Sequence, residues 1–171
     1  MMKRFLIILS LIFAAPIFAM AQERGIIYSI NAYGHIGGKT EDSVFCGGGG
    51  DLGVTFHLMP QQQFTPIIYA SIGFNVLDQA LQGDIKLLGG VSWHITDFFY
   101  AGVSLGGQAF IQTDIGLGGA VVADTSILLH LVEVIGIRVG CSASFGSNGL
   151  IVSPHVGISS CIDFSWLIGE L

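Results

Sequence analysis

Apolar residues recur at every second position along most of this chain, the spacing that places them on one face of an extended strand. In the first such segment Ile26, Tyr28, Ile30, Ala32 and Ile36 alternate with Ser29, Asn31, Tyr33 and His35. Leu52, Val54, Phe56 and Leu58 alternate in the same way with Gly53, Thr55 and His57, and the stretches from Ile68 to Val76 and from Ile85 to Ile95 repeat the pattern. A fifth segment starts at Phe99, a sixth runs from about Gly116 to Leu131, and a seventh from Ile135 to Phe145. The eighth sets Val152, Val156, Ile158, Ile162 and Phe164 against Ser153, His155, Gly157, Ser159 and Asp163. Each is near the ~9–11 residues with which a tilted strand crosses a bilayer.

Breakers at 59–63, 78–84, 96–97, 113–114 and 146–149 separate the segments, and the glycine run Gly47 to Gly50 is expected to close the first loop. Strands of this kind satisfy their peptide groups in hydrocarbon only when the sheet closes on itself. The predicted fold is therefore all-β, a closed up-and-down antiparallel transmembrane β-barrel of eight strands. A polytopic helical membrane protein is the alternative, since residues 139–162 carry no Asp, Glu, Lys or Arg and are long enough for a membrane helix. Against it stand the interruptions at Gly146 to Gly149 and at Pro154, and a period of two.

The first residues fit this picture. Lys3 and Arg4 precede an apolar stretch from Phe5 to Phe18, followed by Ala19-Met20-Ala21, a small-x-small cleavage site. Residues 1–21 read as a signal peptide cleaved near Ala21, and 22–171 as one barrel domain exported to the outer membrane of a diderm bacterium. Only 11% of residues are charged where roughly 25% is usual, and 51% are apolar, which favours a membrane. Beyond the signal, Arg24, Lys39, Lys86 and Arg138 face twelve acids, a net charge of −8 that disfavours nucleic-acid binding. Cys46, Cys141 and Cys161 are odd in number and widely spaced, so free thiols are expected.

With a periplasmic amino terminus, the outward aromatics Tyr28, Phe56, Trp93, Phe99, Phe164 and Trp166 gather at the periplasmic end, as an interfacial girdle does. Together with the strand count, the alternation and the aromatic pair Phe164-x-Trp166 in the last strand, this resembles the eight-stranded outer-membrane proteins of the W and A barrel types, over residues 25–166. The resemblance implies outer-membrane lipids and the barrel assembly machinery as partners. The chain departs from the pattern by running on to Leu171 instead of ending on an aromatic residue.

All five histidines, His35, His57, His94, His130 and His155, fall on the inward register with Asn31, Lys86, Gln108, Asp124, Arg138 and Asp163. Side chains fill so narrow a barrel, so a hydrogen-bonded polar plug is expected, with Arg138 paired to Asp124 or Asp163. The glycines are expected where a small barrel must bend sharply or admit a bulky inward neighbour. The expected role is structural, or passive passage of small solutes, without enzymatic chemistry. An enzyme acting at the outer rim is the alternative, and His35, Asp42 and Asp51 are its candidate residues. Glu41, Asp42, Asp51, Asp78, Asp84 and Asp114 are expected on the outer loops as an acidic rim. His57, His94 and His130 each lie three residues before a turn residue, Pro60, Asp97 and Glu133, on strands two, four and six, each of which descends to a periplasmic turn. Equal depth makes them candidate ligands of Zn²⁺ or a similar ion, with no other cofactor expected.

Overall fold

A computed structural model describes residues 25–38, 44–60, 62–77, 80–96, 98–113, 116–131, 135–147 and 149–161. They form eight antiparallel strands: β1 (Ile26–Gly38), β2 (Val44–His57), β3 (Phe64–Leu77), β4 (Ala80–Thr96), β5 (Phe99–Gln112), β6 (Gly116–His130), β7 (Ile135–Gly146) and β8 (Gly149–Cys161). Each pairs with the next, and β1 pairs with β8, so the sheet closes into a barrel. A strand of 13 residues tilted by about 40° rises about 33 Å, enough to cross the ~25 Å apolar band of an outer-membrane barrel. The helical alternative is not observed, for residues 139–146 belong to β7 and 149–161 to β8.

The two faces differ as the alternation requires. Ile30, Leu105, Ile111 and Ile158 are each more than 60% exposed on the outside, while Ser29, Asn31, Tyr33 and His35 are buried inside. All five charged residues among those described, Asp51, Asp84, Lys86, Asp124 and Arg138, are buried on the inward register. Outside, Phe64 stacks on Trp93 at 5.6 Å between ring centroids, at the end of the barrel that carries residues 25 and 161. Phe74 and Phe145 stand exposed near the opposite end, whereas Phe56, expected in the girdle, is buried.

Two boundaries differ from expectation. Gly47 to Gly50 lie within β2, paired on both sides, and close no loop. Residues 80–84 likewise belong to β4. Both shifts carry an aspartate from the expected rim into the lumen: Asp51 and Asp84 are each only 4% exposed. The other rim acids, Glu41, Asp42, Asp78 and Asp114, lie outside the described residues, as do residues 1–24, Ile162, Asp163, Phe164 and Trp166. Cys46 and Cys141 are free thiols on the outer surface.

Candidate functional site: the barrel lumen

Eight strands leave so narrow an interior that inward side chains from opposite walls meet. At its middle Asp51, on β2, accepts hydrogen bonds from Asn31 Nδ2 at 2.7 Å, Tyr33 Oη at 2.7 Å and Tyr69 Oη at 3.2 Å. Lys86 Nζ reaches the same carboxylate at 3.4 Å and lies 3.9 Å from Asp84 Oδ1. Donors from β1, β3 and β4 thus converge on one acid, and the Asp51 charge is not left bare in the low-dielectric interior.

A second ion pair lies across the lumen. Arg138 Nη2 donates to Asp124 Oδ2 at 3.0 Å, one of the two pairings expected from the sequence, and its guanidinium stacks 4.5 Å from the centre of the Tyr69 ring. Lys86 sits 4.2 Å from the centre of the Tyr33 ring. Each cation therefore has both an acid and an aromatic face, and the two tyrosines tie the two ion pairs into one network.

Towards the end away from the termini the bonding becomes a directed chain. Asn75 Nδ2 donates to the Asp84 carboxylate, which leaves Asn75 Oδ1 to accept from His35 Nε2 at 2.8 Å. His35 Nδ1 then accepts from the Ser153 hydroxyl at 2.7 Å. This chain links β8, β1, β3 and β4 through both ring nitrogens of His35. Of the three candidate rim residues, His35 and Asp51 are lumen residues with committed partners, and Asp42 lies outside the described residues.

Glycines make the room for these large groups. A Cβ on Gly53 would stand 2.5 Å from Tyr69 Oη, and one on Gly140 would stand 2.5 Å from His155 Nε2. Cavities of about 40 Å³ and 20 Å³ remain in the lumen, each able to hold a few waters or one, at ~10–15 Å³ apiece. The buried cluster Tyr69, Leu88 and Val122 links the walls of the two, Tyr69 lining the larger and Val122 the smaller.

At the end carrying the termini, His57, His94 and His130 do lie together around Tyr100. The His57 and His94 rings are 5.5 Å apart, and Tyr100 packs edge-on against His94 at 4.4 Å and against His130 at 5.1 Å. Tyr100 therefore stands between His130 and the other two. Among the described residues no group of three or more His, Cys, Asp or Glu side chains is arranged to hold a metal ion.

No protein-family model matches the sequence, and no curated protein matches it. Solved structures do resemble the fold. The attachment invasion locus protein Ail of Yersinia pestis superposes with a TM-score of 0.60 at 9% identity, covering 80% of this chain and 97% of that one. Neisserial surface protein A superposes with a TM-score of 0.58 at 8% identity, covering 81% of this chain and 97% of that one. At these identities the likeness is one of fold, that of small eight-stranded outer-membrane barrels.

Proposed function

We propose that the protein is an integral outer-membrane β-barrel with a structural role, whose lumen is plugged and which carries no chemistry of its own. The observation that carries this reading is the convergence on Asp51 of side chains from β1, β3 and β4, which fills the cross-section with paired charges. Location in the outer membrane is supported by the fold and by an outward register that bears no charged residue among those described. Export through a signal peptide cleaved near Ala21 rests on Lys3, Arg4 and the apolar stretch after them. The partners on this reading are the surrounding lipids and the barrel assembly machinery, the latter reading the last strand.

Passive passage of small solutes is the second reading, supported by the two cavities, and it requires the ion-pair network to part. Recording from planar bilayers separates the two. The plugged barrel is expected to give no steady stepwise current, whereas a large, stable conductance from the wild-type protein would replace it with the solute-passing reading.

A further inference from the structure

We propose that the lumen mouth beside the termini is a binding site for one divalent transition-metal ion, held by the imidazoles of His57 and His94 with water completing its coordination. The backbone places these residues with care. His57 donates its amide to Gly25 O at 2.6 Å, His94 to Gln63 O at 2.7 Å and His130 to Phe98 O at 2.8 Å. Each of these carbonyls lies just before the start of a neighbouring strand, so the three histidines are fixed at equivalent levels of β2, β4 and β6. A β-bulge between His94 and Thr96 adds a local adjustment at His94, and bulges at barrel rims re-aim side chains.

Ring geometry then selects the pair. A tetrahedral ion with metal–nitrogen bonds of about 2.0–2.1 Å holds two imidazole centroids about 5.2 Å apart. The His57 and His94 centroids are 5.5 Å apart, with ring planes at 67°. His94 Nε2 is shielded from solvent and has no hydrogen-bond partner, a ring nitrogen for which a cation would be one. Tyr100 separates His130 from the pair, so the site has two protein ligands and not the three that equal depth alone suggests. Imidazole nitrogen selects Zn²⁺, Ni²⁺ or Cu²⁺ over Ca²⁺ and Mg²⁺, which take oxygen ligands.

The test uses untagged full-length mature protein, folded in detergent and stripped with a chelator, titrated calorimetrically with Zn²⁺. One equivalent per barrel is expected to bind. His57→Ala and His94→Ala should each lose at least roughly tenfold in affinity, while His130→Ala and His35→Ala stay within about threefold of wild type. Folding of each variant is checked by its heat-dependent gel shift. Should the two key variants fail to fold, paramagnetic Cu²⁺ added to the wild-type barrel decides, because resonance broadening is expected first at the His57 and His94 rings. Failure of the wild type to take up Zn²⁺, equal loss on removing His35, or broadening centred on His35 or His155 would each overturn the site. A loss on His130→Ala as large as on His94→Ala would overturn the two-ligand form.

Discussion

Asp51 accepts from Asn31, Tyr33, Tyr69 and Lys86, so its truncation to Ala removes the acceptor that four buried donors share, one of them charged. Breaking a buried ion pair in this way costs about 3–5 kcal/mol. Urea unfolding of Asp51→Ala in detergent should show a loss of that order, and adding Lys86→Met should return part of it by removing a buried cation left with only its 3.9 Å contact to Asp84. A single variant as stable as wild type would mean that the network does not bind the walls together. The importance of Asp51 was legible in the chain but obscured. Asp51 shares the parity of Gly53, Thr55 and His57, all read as inward, and Asp84 shares that of Lys86. The four glycines before Asp51 and the polar stretch before Asp84 looked like loop, and turn chemistry outweighed the alternation. In β2 these glycines serve packing instead: the position of Gly49 is crowded by Asn75 and the backbone at Phe74, and Gly47 lies against the backbone at Val76.

At the scale of elements the alternation was sufficient, because a strand with lipid on one side and a polar plug on the other must keep period two throughout. All eight strands, their order and their inward and outward faces follow from it. What it does not reveal is the quality of each seam. The β1–β8 register pairs Tyr33 with His155 and Ile36 with Val152, but Gly34 and His35 have no ladder partners opposite Pro154 and Ser153. Pro154 has no N–H to give, and a proline inside a closed sheet removes a ladder bond that water does not replace in hydrocarbon. The His35 to Ser153 hydrogen bond bridges the same gap from the lumen side. Since Pro154 is exposed on the outer face, Pro154→Val should restore a donor opposite Gly34 without touching the lumen. A gain of about 0.5–1.5 kcal/mol is expected in the same urea assay. An unchanged or lowered midpoint would show that the closing seam is not limited by the missing bond.

The described residues are almost entirely barrel, for successive strands are joined by only two to six residues, from 78–79 to 58–63. Outer-membrane barrels commonly carry longer loops on their outer side, where proteases reach them. Here the connections at both ends are short, and every described strand is paired on both edges. Two properties follow from that closure. The folded protein should give a β-dominated far-ultraviolet circular dichroism spectrum and migrate differently on a gel before and after boiling, since the closed ladder persists in detergent until heat breaks it. Proteinase K applied to the folded protein in vesicles should leave the strands β1–β8 uncut, while boiled protein is degraded to small peptides. Mass spectrometry of the surviving product reads out which bonds were reached. Cleavage within β1–β8 of the unboiled protein, or a spectrum dominated by helix, would contradict a barrel whose edges are all paired, because a protease must draw several residues of extended chain out of the sheet before it can cut.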